Sequence, residues 1–395
     1  MTDSRSRVSS RETGRLARIR VSPIPPHTMG PPRFACSEHK ELLRGVHGGW
    51  DCGHWRDFIE EGQKVTQPDE QAVLAIPKAT LLSSGLVFDS NCLYTLDYFQ
   101  APAKLPDSVN AADRFEALLS VIWRSPPDYN HFVAETLPRL LFCRDLIREY
   151  GASIRIPWYY DLATPYVRQY LALLNLEDLP FLTTTYDPVE AFVAGLVLLP
   201  FCYPRDPRTV AHDDPVAWYP LVRDLRGLRS EVFDRAGAHA NLGESGRRTV
   251  IYASRRDVAG AQGGAHAGSG GGGRGVINED EILSLLLERY GRELVLFVGG
   301  QFDIPSTIRL FANARMVIGP HGGAFVNTLF CPAGAHLVEF LPSLQPTQYF
   351  YRTSACLEQS YWPLPIRGCR HEDALHISPG ELLRILDAID SACKS

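Results

Sequence analysis

From Thr249 to Phe340 short apolar segments alternate with amphipathic ones, and few folds accommodate that order. Segments 249–253, 294–298, 316–318 and 336–340 have the length and apolar content of buried strands. Between them, 279–290, 306–313 and 324–330 read as helices. Asn278 stands at the cap position of the first helix, Glu279, Asp280 and Glu281 fill its first turn, and Gly291 ends it. Such a βαβαβαβ succession implies a parallel sheet with helices on both faces. Ligands of such sheets bind at the carboxyl ends of the strands.

That rule gives scattered residues a shared location. The first strand ends in Ser254-Arg255-Arg256, the third in Gly319-Pro320-His321-Gly322-Gly323, and Glu339 closes the fourth. A glycine turn between a strand and a helix exposes backbone amides where the helix dipole favours an anion. Two arginines beside it suit a diphosphate, and a carboxylate suits the hydroxyls of a ribose. Taken singly, each arginine also reads as a surface charge and Glu339 as a strand-end residue. The pattern is neither the dinucleotide fingerprint, which would follow the first strand directly, nor a P-loop, since no Gly-Lys-Ser or Gly-Lys-Thr occurs.

The preceding residues divide by composition. Segment 1–35 carries many Arg and Ser with few acids and no apolar period, and reads as disordered or as a targeting segment. Segment 36–110 is β-rich, with short apolar runs at 73–76, 80–82, 85–88 and 92–96. A first α/β domain is expected over 111–240, and a second, with a glycine-rich insert at 259–273, over 241–395. In the first, Asn130 stands where it would cap a helix starting at His131, which places Glu135 on the same face one turn on, with Arg139 continuing the line. An imidazole beside a carboxylate suits a general base. The same spacing equally suits a solvated face with a Glu135–Arg139 ion pair.

At 395 residues the chain can bury two cores, and its formal charge of −5 argues against a nucleic-acid partner. Nine cysteines form no Cys-x-x-Cys pair, which excludes a simple zinc module. No apolar run is long enough for a membrane span.

Tyr129-Asn130-His131-Phe132 with Glu135 and Leu137-Pro138-Arg139, then Ser254-Arg255-Arg256, Arg274 with Asn278, Gly319-Pro320-His321-Gly322-Gly323 with Asn327, and Val338-Glu339 together resemble glycosyltransferase family 61. The resemblance implies a GT-B-like fold, two Rossmann-like domains facing across a cleft. It implies an inverting transfer of xylose, arabinose or N-acetylglucosamine from a UDP-sugar to a glycan or glycoprotein acceptor. It assigns His131 and Glu135 to catalysis, and Arg255, Arg256, Arg274, Asn278, His321, Gly322, Gly323, Asn327 and Glu339 to the nucleotide sugar. The sequence contains no Asp-x-Asp pair, so the leaving group is expected to be met by fixed cations without a metal or other cofactor. A Golgi or ER lumenal site follows from the resemblance; a cytoplasmic or organellar one is the alternative. The family's usual turn is His-Gly-Ala-Gly, whereas this chain has His321-Gly322-Gly323-Ala324. A nucleotide- or glycan-binding relative without activity is the alternative function.

Overall fold

The computed structural model describes residues 17–23, 27–29, 31–44, 63–65, 70–82, 85, 87–89, 93–94, 110–121, 129–155, 162, 164–182, 190–200, 222–238, 249–256, 275–344, 346–370 and 373–392. The chain forms two compact units, one comprising Met1–Pro26 and Thr66–Trp218, the other His27–Val65 and Tyr219–Ser395. The described strands before residue 201 are β1 (Ala17–Pro23), β2 (His27–Met29), β3 (Gln63–Val65), β4 (Glu70–Leu82), β5 (Val87–Phe88), β6 (Leu93–Tyr94), β7 (Asn110–Ser120), β8 (Ser153–Arg155) and β9 (Glu190–Pro200).

The first unit holds a seven-stranded sheet in the order β6-β5-β4-β9-β7-β8, with β1 also on β4. It is mixed: β7 runs parallel to both β8 and β9, while β4 is antiparallel to β9, β5 and β1. Ala17–Pro23 lies inside the stretch read as disordered or targeting, and its Ile19 and Val21 alternate with Arg18 and Arg20 as in an edge strand. Segments 73–76 and 80–82, which read as separate because Pro77-Lys78 interrupts them, are one continuous strand, β4, irregular at Lys78 with φ 49°. Ile76, Leu118, Phe192 and Val197 build the core of this sheet.

Helix α1 (Ser37–Arg44) belongs to the second unit; α2 (Leu137–Tyr150) and α3 (Pro165–Leu173) belong to the first. A short helical turn, Tyr129–His131, and a π-helical turn, Phe132–Thr136, lead into α2. The helix therefore begins two residues before His131, and Asn130, expected as its cap, sits buried within the first turn. Gly151, at φ 56°, ends α2 in the left-handed conformation that glycine adopts at low cost.

The second unit continues through α4 (Val222–Ala236), β10 (Thr249–Ser254), α5 (Glu279–Tyr290), β11 (Leu294–Val298), α6 (Ile304–Ala312), β12 (Ala314–Pro320), β13 (His336–Pro342), α7 (Tyr349–Cys356), β14 (Ser360–Ile366) and α8 (Pro379–Ala392). Its five-stranded sheet is parallel throughout, in the order β11-β10-β12-β13-β14. Val250, Ile318, Val338 and Phe340 meet Ile282 and Leu286 of α5 and Leu382, Ile385 and Ile389 of α8 on one face. The alternate residues Ile251, Val317 and Leu337 are equally buried, so both faces are covered. The segment 324–330 is helical as expected but forms a 3-10 helix, Gly323–Phe330. Strand β14 extends the expected succession. Its Pro363 and Pro365 disguise it in the sequence, yet β14 occupies an edge, where a missing N–H is tolerated.

This strand order sets the place of any ligand. Numbered within the unit it reads 2-1-3-4-5, and the direction of winding reverses between β10 and β12. The crevice at the carboxyl ends of those two strands is the topological switch point. Among the described residues, no helix is long and apolar enough to cross a membrane.

Candidate active site

At the switch point of the second unit two strands come unusually close. A Cβ on Gly319 would lie 2.5 Å from the carbonyl oxygen of Ala253, so only glycine permits β12 to pass β10 there. Beyond that contact Arg255 leaves the end of β10 and lays its guanidinium across the turn. Its Nη1 donates to the carbonyl of His321 at 3.5 Å, and a Cβ on Gly322 would fall 1.8 Å from the same nitrogen. Gly323 has no atom within 4 Å of its would-be Cβ. Of the two glycines, therefore, Gly322 is the one the packing demands.

His321 is held on three sides. Its backbone N–H donates to Phe340 O at 3.1 Å, its ring lies 5.1 Å from that of Phe350, and its Nδ1 is hydrogen-bonded to Glu339. The other oxygen of Glu339 accepts from the Tyr361 hydroxyl at 2.6 Å. Burial, and then the adjacent Glu339, push the Tyr361 hydroxyl well above its ordinary pKa, so it stays a donor. Glu339 thus stands mid-strand, 0% exposed, with both oxygens engaged. Expected from the sequence to meet a ribose, Glu339 here has one oxygen on the His321 ring and the other on the Tyr361 hydroxyl.

The arginine pair divides in the same way. Arg256 forms ion pairs with Glu279 and Asp280, which raise its pKa, while Ser254 Oγ donates to Glu279 at 2.8 Å and accepts the Arg256 N–H at 3.1 Å. Ser254 and Arg256 therefore dock the start of α5 onto β10, and Arg255 alone of the triplet lies at the turn. Asn278 makes no side-chain capping bond; its Oδ1 accepts from Ile377 N–H at 3.0 Å and its Nδ2 donates to Ile377 O at 2.8 Å. Asn327 is buried in the 3-10 helix and donates to Ala324 O at 3.0 Å. Both amides hold backbone in place. Arg274 and the insert 259–273 lie outside the described residues.

In the first unit the expected pair forms. His131 Nδ1 lies 2.7 Å from Glu135 Oε1; the imidazole is 22% exposed and the carboxylate 3%. The reading as a solvated face is corrected, because Glu135, Thr136 and Arg139 are all buried. Arg139 donates to the carbonyl of Glu135 at 2.9 Å rather than forming the expected ion pair. The π turn explains this local arrangement. Pro138 has no N–H and its ring would strike the carbonyl four residues back in a regular helix. Leu137 instead bonds to Phe132 O, five residues back, and Arg139 follows directly after this widened turn. Such π turns concentrate at functional sites. Edge-on packing of Tyr129 against Tyr166 at 5.2 Å, with a Tyr129–Tyr170 hydroxyl contact of 2.9 Å, braces the start of the helix.

Each unit thus presents a histidine whose Nδ1 rests on a buried glutamate. A carboxylate in that position favours the tautomer with its proton on Nδ1, which leaves Nε2 on the opposite side of the ring. Tyr361, whose hydroxyl holds the second oxygen of Glu339, is the residue at this turn that sequence reasoning missed. One signal pointed to it: a carboxylate centred in the apolar run 336–342 requires donors on adjoining strands. Among the described residues no group of three or more His, Cys, Asp and Glu is placed to hold a metal ion.

Gly322→Ala follows directly from this geometry. The intruding methyl meets the movable end of a side chain rather than backbone, so the fold should survive with Arg255 displaced. We expect thermal unfolding within about 3 °C of wild type, measured by scanning calorimetry.

The sequence model of glycosyltransferase 61 matches residues 129–338, a span that includes both histidine–glutamate pairs except for the last residue, Glu339. Protein O-linked-mannose beta-1,4-N-acetylglucosaminyltransferase 2 of Takifugu rubripes is 33% identical over 84 residues, 21% of this chain and 14% of that protein. The Homo sapiens protein of the same name is 35% identical over 84 residues, with the same coverage. The chain thus spans about a seventh of the length of these curated relatives.

Proposed function

The chain belongs to glycosyltransferase family 61, and from that membership we propose that it transfers a sugar from a UDP-sugar to a hydroxyl of a glycan or glycoprotein, with inversion. The observation that carries the reading is Arg255 lying across Gly322 beside His321, at the switch point of a parallel sheet. A guanidinium, a glycine turn and an oriented imidazole converge there, as a diphosphate requires. The donor is a pentose or N-acetylhexosamine nucleotide. The names of the curated relatives favour N-acetylglucosamine.

The reaction is a single displacement. His131 Nε2 takes the proton of the acceptor hydroxyl as that oxygen attacks the anomeric carbon, and Glu135 stabilises the imidazolium that forms. The bond from the anomeric carbon to the β-phosphate oxygen breaks with its electron pair leaving on UDP. Arg255 and His321 meet the charge that develops on the departing diphosphate. A secretory lumen suits glycan and glycoprotein acceptors.

A panel of UDP-sugars offered with and without an acceptor array tests the proposal by release of UDP. Acceptor-dependent release from one donor is the expected result. UDP binding without turnover of any donor would leave a binding relative, and absence of nucleotide binding would defeat the reading altogether.

A further inference from the structure

Buried behind the turn is a chain of three polar side chains, one from each of three adjacent strands or the loop that follows. His321 follows β12, Glu339 sits within β13, and Tyr361 near the start of β14. The register places Gly319 beside Glu339 and Glu339 beside Pro363, so Tyr361 is the diagonal neighbour of Glu339 on the same face of the sheet. The hydroxyl spans that diagonal at 2.6 Å.

We propose that Tyr361 is a positioning residue for the nucleotide site, acting through Glu339 to set the orientation and proton affinity of His321. The inference rests on reading the turn as that site and deepens it. A carboxylate excluded from solvent must have its oxygens satisfied by donors, and removing one donor makes it a stronger acceptor for the other. Without the Tyr361 hydroxyl, Glu339 would hold the proton of His321 more tightly. Among the described residues, the charged and titratable groups recorded around His321 are Arg255 from the end of β10, Glu339 from β13 and, through it, Tyr361 from β14 with Tyr351 of α7 beside it, while α7 also supplies the uncharged ring of Phe350. The rival explanation, that Tyr361 merely fills space against Tyr351 at a ring separation of 5.7 Å, is preserved in a phenylalanine variant.

The test is titration of the His321 ring by NMR in the whole chain without nucleotide, its signal assigned by loss in His321→Ala. In Tyr361→Phe the His321 pKa should rise by about half a unit or more. In Glu339→Gln it should fall, because the anion is gone, and adding Tyr361→Phe to that background should produce no further change. Unaltered titration in Tyr361→Phe, or an equal shift in both backgrounds, would overturn the proposal. If the phenylalanine variant fails to fold, a rise or no change of the His321 pKa in Glu339→Gln would overturn it instead. UDP calorimetry on the same samples separates the two readings: a chain that shows the expected titration but binds no UDP keeps the relay and loses the nucleotide site.

Discussion

Replacing His131 with alanine is expected to lower glycosyl transfer by about 10²–10⁴-fold, with UDP affinity changed by less than about twofold. Because Pro138 cannot continue a regular helix, the backbone widens at Phe132–Thr136 and fixes His131 against Glu135 at 2.7 Å. The carboxylate is buried and the imidazole is not, so the exposed partner is the one suited to meet a substrate hydroxyl. Glu135→Gln should retain part of the rate, since an amide still contacts the ring but cannot stabilise its protonated form. Initial rates of UDP release with acceptor, set beside calorimetric UDP titration, measure both effects. Wild-type turnover in His131→Ala would remove this residue from the mechanism.

A second large effect is structural. Gly319→Ala should destabilise the second unit by about 3 kcal/mol or more, lowering its unfolding temperature by roughly 6–12 °C. The added methyl would sit 2.5 Å from Ala253 O, a backbone atom held by the pairing of β10 with β12, in which Tyr252 lies beside Ile318. No rotamer relieves that contact, so the strands themselves must separate at the switch point. Gly323→Ala, three positions from the turn's start at Pro320, meets nothing within 4 Å and should unfold as wild type does. Differential scanning calorimetry of the two variants makes the comparison; equal unfolding temperatures would show that the close approach at Gly319 carries no constraint. The open space at Gly323 also accounts for the departure from the usual family turn, where alanine stands: either residue fits.

Much of the second unit was legible because its strands are buried on both faces and its helices are separated from them by glycines and capping acids. Period and punctuation both survive in such a sequence. Strand β14 was not legible, since Pro363 and Pro365 argue against a strand until its edge position is known. With it went Tyr361. Ser254-Arg255-Arg256 reads as two equivalent cations, and only the fold separates Arg255 at the turn from Arg256 paired to Glu279 and Asp280. The spacing of His131 and Glu135 foretold their contact but not their burial. Asn278 illustrates the converse: a residue ideal for capping is diverted by a tertiary partner, Ile377, about a hundred positions on.

A diphosphate is expected to bind at the crevice between the ends of β10 and β12, under Arg255. Calorimetric titration of UDP into the wild-type chain and into Arg255→Ala tests it most directly. Saturable binding that weakens about ten- to a hundredfold in the variant, as loss of a charged hydrogen bond requires, with unfolding temperature unchanged, is the predicted result. Equal UDP affinity in the two proteins would contradict it.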